Sequence, residues 1–284
     1  MAKNSTELNA PIRIAITGAA GRMGKTLIQA IQDAEDMVLG AAIEHPQSPA
    51  VGADAGEIAG VGALGIIITA EPLEVVNDSD VAIDFTVPAA TISLAKACAV
   101  KGLALVVGTT GFTEAQQIEL ETAAANCPLF RAPNMSVGVN LTFKLIEIAA
   151  KALGDSVDVE VIEAHHRHKI DAPSGTAVRM GEVLAEALDR DLETDAIYGR
   201  QGITGARDRK TIGFSTVRGG DIVGEHTVMF AGEGERIEIT HRAQSRMNFA
   251  QGALTAARFV VKQPAGHYNM QKLLNLRNGC FFTE

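Results

Sequence analysis

From Ile12 onward, short apolar runs alternate with longer amphipathic stretches, and this alternation restricts the chain to few folds. A run that is apolar at nearly every position must be covered on both faces, the condition of a strand inside a parallel sheet with crossover helices. Strands are expected at 12–17 (IRIAIT), 37–44 (MVLGAAIE), 65–69 (GIIIT), 81–86 (VAIDFT), 103–110 (LALVVGTT) and 128–133 (PLFRAP). Helices are expected from the GAAGRMG segment to about Ala34, near 71–77, over 88–101 and over 113–125. Six strands in that alternation predict an α/β, Rossmann-type doubly wound parallel sheet.

The rhythm changes after Asn134. A helix is expected from about Gly138 to Leu153, then a half-exposed strand in VDVEVIEAHH, where Val157, Val159 and Val161 alternate with acidic residues. A second helix follows PSG at 173–175. TIGFSTVR, EHTVMFA and RIEITHRA read as strands, the last two joined by the turn GEGE at 232–235. This predicts a second, α+β domain with a mainly antiparallel or mixed sheet. FAQGALTAARFVV (249–261) and MQKLLNL (270–276) read as helices that return to the first domain. The expected division is 1–135 with 247–284 for a dinucleotide-binding domain, and 136–246 for a substrate-binding domain.

Composition narrows the partners. A formal net charge of −9 over 284 residues argues against nucleic acid or an anionic membrane surface as the main partner. Cys98, Cys127 and Cys280 are far apart and include no Cys-x-x-Cys, which argues against a disulfide framework or a zinc ribbon. The segment MAKNSTELNAP has no apolar h-region, and no stretch approaches the ~18 apolar residues of a membrane span. A cytoplasmic protein without membrane, nucleic-acid or metal partners is expected.

Gly18, Gly21 and Gly24 lie between the first strand and its helix, where bare backbone N–H groups and the helix dipole can receive a pyrophosphate. Their Gly-x-x-Gly-x-x-Gly spacing departs from the commoner Gly-x-Gly-x-x-Gly, and a plain tight turn remains an alternative. Glu44 ends the second strand about 20 residues further on, where an acid hydrogen-bonds the adenosine ribose. Such a carboxylate repels a 2′-phosphate, and His45 follows it rather than arginine, so NADH is expected to serve at least as well as NADPH. GTTG at 108–111 and APN at 132–134 close strands at their C-terminal ends and are candidates to line the nicotinamide.

The densest chemical signal is EAHHRHKIDAPSGTA (163–177), which puts His165, His166, Arg167, His168 and Lys169 together at a strand end. Histidine exchanges protons near neutral pH, and lysine donates to carboxylates. Behind them Ser174 is an expected N-cap, with the N–H groups of Gly175 and Thr176 directed to an anion. On residue type alone, a dicarboxylate receptor stands beside a solvated basic loop, a phosphate site and a metal site, the last disfavoured by the charges of Arg167 and Lys169.

The chain resembles the dihydrodipicolinate reductase family in GAAGRMG (18–24), IDFT (83–86), GTTGF (108–112), NMSVGVN (134–140), EAHHRHKIDAPSGTA (163–177), TIGFSTVRGGDIVGEHTVMF (211–230) and ITHRAQSR (239–246). The resemblance implies NAD(P)H-dependent reduction of 4-hydroxy-tetrahydrodipicolinate to tetrahydrodipicolinate, with loss of water, on the diaminopimelate route to lysine. It implies that Gly18, Ala19, Ala20, Gly21, Arg22 and Met23 hold the pyrophosphate and Glu44 the adenosine ribose. Gly108, Thr109 and Thr110, with Ala132, Pro133, Asn134 and Met135, would surround the nicotinamide. His165 would be the acid/base residue, Lys169 the proton donor, and His166, Gly175 and Thr176 the ligands of a small dicarboxylate substrate. It further implies a homotetramer built through the second domain. Where some members carry arginine, this chain has His45 and Val87. Domain closure about hinges near 135–137 and 245–247 is expected to accompany catalysis.

Two other functions fit a two-domain nicotinamide protein. A semialdehyde dehydrogenase needs a cysteine nucleophile in a site loop, and none of the three cysteines occupies one. A redox sensor that only binds NADH needs no proton donor, so the His–Lys–PSGT segment argues against it.

Overall fold

The computed structural model describes residues 10–71 and 78–276. They form two compact units, one running to Ser136 and resuming at Met247, the other spanning Val137–Arg246. Among the described residues no helix is long and apolar enough to cross a membrane.

The first unit contains β1 (Ile12–Thr17), α1 (Arg22–Gln32), β2 (Met37–Ile43), α2 (Ala55–Ala59), β3 (Ile68–Thr69), β4 (Val81–Asp84), α3 (Pro88–Lys101), β5 (Ala104–Val107), α4 (Glu114–Ala123) and β6 (Pro128–Arg131). These strands lie in one parallel sheet in the order β6-β5-β4-β1-β2-β3. Both faces are covered, as the all-apolar strands require. Ile14, Ile16 and Val106 pack with Leu27, Ile28 and Ile31 of α1 on one face. Ala15, Leu105 and Val107 pack with Ile92, Leu94 and Cys98 of α3 and Leu120 of α4 on the other. Chain order reverses between β1 and β4, so the crevice beyond the C-terminal ends of these two strands is the position where such sheets bind ligands.

Several expected strands end earlier. β4 stops at Asp84, β5 at Val107 and β6 at Arg131, because the following residues turn to tie one loop to the next. The Gly108 N–H donates to the Asp84 carbonyl and the Thr86 N–H to Thr109 Oγ1 at 2.9 Å. The expected strand at 65–69 shrinks to Ile68–Thr69. Asp54 is the reason: its carboxylate accepts the N–H groups of Leu64 and Gly65 as well as capping α2, which pulls the chain into a turn and leaves Ile67 exposed. The helix expected near 71–77 lies outside the described residues beyond Glu71.

The second unit holds α5 (Val137–Leu153), a 3₁₀ turn (Gly154–Ser156), β7 (Asp158–His165), α6 (Gly175–Leu188), α7 (Leu192–Asp195), β8 (Ala196–Tyr198), β9 (Ile212–Arg218), β10 (Gly224–Ala231) and β11 (Arg236–Ala243). The strand order is β11-β10-β7-β9-β8. The expected hairpin of β10 and β11 is present, and β10 is also antiparallel to β7, but β7–β9 and β8–β9 are parallel, so the sheet is mixed. The parallel β7–β9 pair follows from α6, which lies between them in the chain and serves as a crossover. Val159, Val161, Ile212, Phe214, Val228 and Phe230 face Ile146 and Ala150 of α5 and Met180 and Leu184 of α6 in a separate core.

The chain then returns to the first unit with α8 (Met247–Val260), β12 (Gly266–Tyr268) and α9 (Met270–Leu273). Ala250, Ala253, Leu254 and Ala257 of α8 join the core face of α1. Gly252 lies so close to the 132–136 loop that a Cβ there would stand 1.8 Å from the Met135 carbonyl oxygen. β12 extends the sheet beyond β6 in parallel, a seventh strand absent from the sequence-based expectation, as was β8.

Candidate active site

The first site region lies at the switch point of the parallel sheet. β1 ends at Thr17 and the chain turns at Gly18, whose φ of +67° belongs to the left-handed region that glycine adopts without strain. Gly24, in the first turns of α1, packs on that turn directly, since a Cβ there would meet the Gly18 carbonyl oxygen at 2.2 Å. The glycine spacing thus serves both the turn and the helix–turn contact. Gly21 caps α1 without a side-chain hydrogen bond, so no side chain of the cap competes with an anion for the first-turn amides.

Glu44 follows β2 and reaches the same loop: its Oε1 accepts the Ala20 N–H at 2.9 Å and its Oε2 the His45 N–H at 3.0 Å. The structure therefore joins the glycine loop and the candidate ribose acid, 24 residues apart, through one hydrogen bond. Ala19, Ala132 and Met135 have their side chains in the core, so toward a ligand they can offer backbone only. Arg22, Thr110 and Pro133 are exposed and Thr109 is buried.

Asp84 lies in the IDFT motif, and its residue type alone gives no sign of its role. Its carboxylate is fully buried and accepts hydroxyl hydrogen bonds from Thr17 (2.5 Å), Thr86 (2.6 Å), Thr109 (2.8 Å) and Thr91. These threonines come from β1, the turn after β4, the loop after β5 and α3. One carboxylate therefore fixes the strand ends that frame the glycine loop and holds Thr109, a candidate nicotinamide contact.

The second region is at the end of β7. Alternation along this strand puts Val159 and Val161 on the helix-covered face, and Glu163 and His165 continue the same face. His165 Nδ1 lies 2.6 Å from Glu163 Oε2. Glu163 also receives both ends of the Arg218 guanidinium, at 2.7 and 2.8 Å, and the Ser174 N–H at 3.0 Å. Burial opposes ionisation of Glu163, but these donors outweigh it and hold the carboxyl below the usual carboxylate range. His165 is pushed down, chiefly by burial and against the pull of Glu163, so its ring is neutral at pH 7. Neither Arg218 nor Glu163 is singled out from the sequence; Glu163 continues the inward alternation of β7, while Arg218 comes from the end of β9.

Ser174 caps α6 as expected, accepting the Ala177 N–H at 3.1 Å. Its hydroxyl also contacts His226 Nε2 at 2.9 Å, and the His226 ring meets His165 edge-on with centroids 5.0 Å apart. Lys169 pairs with Asp171 at 2.8 Å, and this hydrogen bond, against the opposing effect of burial, holds the Asp171 carboxyl below its ordinary range. The His166 N–H is engaged by the Ile222 carbonyl at 2.7 Å, while its Nδ1 is buried with no hydrogen-bond partner among the described residues.

A thiol-based chemistry finds little support. Burial raises the thiols of Cys98 and Cys127, the latter to about 11, so neither is a thiolate nucleophile at neutral pH; Cys280 lies outside the described residues. Among the described residues no group of three or more His, Cys, Asp or Glu is arranged to hold a metal ion.

Burial, reinforced by His165, His241 and Lys169 and opposed by Glu163, lowers His226 to about 4. The folded value is below the ordinary 6.5, so between these values the unfolded chain binds the extra proton and stability falls as pH drops. The contribution is on the order of 3 kcal/mol. Urea unfolding at pH 7 and pH 4.5 should show most of that loss in the parent and much less of it in His226→Gln; an unchanged acid dependence would overturn the assignment.

Residues 12–135 match the family model described as dihydrodipicolinate reductase, N-terminus, and residues 138–274 match the corresponding C-terminus model. The 4-hydroxy-tetrahydrodipicolinate reductase of Acinetobacter baumannii is 57% identical over 271 residues, covering 95% of this chain and 99% of the relative. That of Saccharophagus degradans is 58% identical over 265 residues, covering 93% and 99%. Among solved structures, the dipicolinate-bound dihydrodipicolinate reductase from Paenisporosarcina sp. TG-14 superposes with a TM-score of 0.73 at 24% identity, over 92% of this chain and 98% of that one. An amine dehydrogenase from Mycobacterium smegmatis gives 0.60 at 14%, over 95% and 98%, and at these identities the likeness is one of fold. The two family models span nearly the whole chain, and the protein belongs to the dihydrodipicolinate reductase family.

Proposed function

We propose that this chain is an oxidoreductase that reduces 4-hydroxy-tetrahydrodipicolinate to tetrahydrodipicolinate, releasing water, in the diaminopimelate route to lysine. The observation that carries this reading is the identity of 57% over 95% of the chain to a reductase of that name, in a protein that places His165 at the end of β7 and Lys169 in the loop that follows. The glycine turn, the α1 N-terminus free of a side-chain cap and Glu44 fit a nicotinamide dinucleotide, which supplies a hydride when bound.

The chain's own residues supply the rest. Hydride addition to an imine-type ring conjugated to carboxylates leaves electron density that must take up a proton. Lys169 carries one, and Asp171 holds its ammonium 2.8 Å away. His165 has its Nδ1 occupied by Glu163 and its Nε2 lone pair available to accept or relay a proton. Proton transfer by such positioned groups contributes about 10²–10⁴-fold, and neighbouring positive charge stabilises the developing anion. His166 and the N-terminal amides of α6 at Gly175 and Thr176 are assigned to the substrate carboxylates.

Replacing both His165 and Lys169 should abolish NADH oxidation, followed at 340 nm with substrate generated in situ by the preceding synthase, while leaving NADH affinity within about twofold; wild-type turnover in the double variant would remove both assignments. The cofactor proposed is NADH at least as readily as NADPH, supported by the Glu44 carboxylate beside Ala20 and by His45 in place of arginine. Steady-state KM values at physiological salt test this, and a KM for NADPH far below that for NADH contradicts it. A homotetramer formed through the five-stranded sheet is proposed on the family's footing, supported by Ile162 and Val217, exposed on the sheet face away from α5 and α6. Light scattering should give four times the 29.8 kDa chain mass, and a monomeric mass rules it out.

A further inference from the structure

Arg218, at the end of β9, touches both halves of the proposed acid/base pair through intermediaries. Its two terminal nitrogens donate to the two oxygens of Glu163, and one of them also donates to the Asp171 carbonyl at 2.6 Å. Glu163 holds His165, and the Asp171 carboxylate holds Lys169. Register alone brings Arg218 here, because it stands opposite His165 in the parallel β7–β9 pair. We infer that Arg218 is the shared positioning residue of the two proton-transfer groups, acting on His165 through Glu163 and on Lys169 through Asp171. The inference deepens the reductase reading and rests on it.

Counting donors shows what this does to His165. Glu163 Oε2 accepts from Arg218 and faces His165 Nδ1, and Oε1 accepts from Arg218 and the Ser174 N–H. With Glu163 ionised the carboxylate can only accept, so the imidazole proton sits on Nδ1 and Nε2 keeps its lone pair. The other charged or titratable groups facing the ring are Arg218, Lys169 and His226, from β9, the loop after β7 and β10. None of them accepts the Nδ1 proton in place of Glu163. On the lysine side, the Arg218 bond to the Asp171 carbonyl anchors the backbone of the residue whose carboxylate holds the ammonium. A lysine at 218 has a single ammonium on a flexible stem and cannot span Glu163 and that carbonyl in the fork geometry of a guanidinium.

Glu163→Gln reverses the count. Its amide has one oxygen for the Arg218 and Ser174 donors, and its NH₂ then needs an acceptor, which among the groups facing that oxygen only His165 Nδ1 can be. Nitrogen-15 NMR of histidine-labelled full-length protein should show the His165 proton on Nδ1 in the parent and on Nε2 in Glu163→Gln. This readout does not depend on turnover, so it survives a failure of the substrate assignment, which would show instead as an inactive parent. In the active parent background, Glu163→Gln should lower kcat at least a hundredfold and Arg218→Lys at least tenfold, with NADH affinity unchanged in both. Arg218→Lys keeps the buried charges balanced and carries the test if Glu163→Gln does not fold. A His165 proton that stays on Nδ1 in folded Glu163→Gln, or a kcat within twofold of the parent in Arg218→Lys, overturns the inference.

Discussion

A carboxylate removed from water must be given hydrogen-bond donors in exchange, and both functional regions are organised by that requirement. Asp84 meets it with threonine hydroxyls drawn from four separate segments. The geometry that satisfies the carboxylate therefore also sets how the ends of β1, β4 and β5 lie around the glycine turn. Glu163 meets it with a guanidinium, an imidazole and a backbone amide. Hydroxyls satisfy lone pairs without adding charge, whereas Arg218 brings a cation of its own. Glu163 can therefore stay ionised beside His165 without raising the histidine above its ordinary range.

The parallel sheet was readable because its strands have no polar face: Ile14 and Ile16 are buried on one side and Ala15 on the other, with α1 and α3 accounting for both. β8 and β12 were not, since three residues form no run that a pattern can reveal. The mixed character of the second sheet was legible only in part. The turn at Gly232–Glu235 announced the hairpin, while the parallel partner of β7 lies beyond an intervening helix and a long loop, where local pattern says nothing of register.

The site divides in a similar way. Glu44, the glycine turn and the residues from His165 to Lys169 could be named from residue type and spacing, because their chemistry is concentrated in short segments. The groups that hold them could not. Arg218 is 55 residues from Glu163, and His226 is 52 from Ser174. Asp84 at the end of VAID looks in the sequence like the ordinary polar close of a strand. Chemistry is local in this chain, but its supports arrive from distant strands, and only the sheet register brings them together.

The contact between Gly252 and the Met135 carbonyl has a consequence for synthesis of the chain. The 132–136 loop is backed by a helix that lies more than a hundred residues downstream, and the core face of α1 is closed by the same helix. All residues of the second unit, Val137–Arg246, leave the ribosome before that helix does. The second unit can therefore be packed while the sheet of the first still lacks this helix, its early strands waiting for the segment that begins at Met247 to complete them.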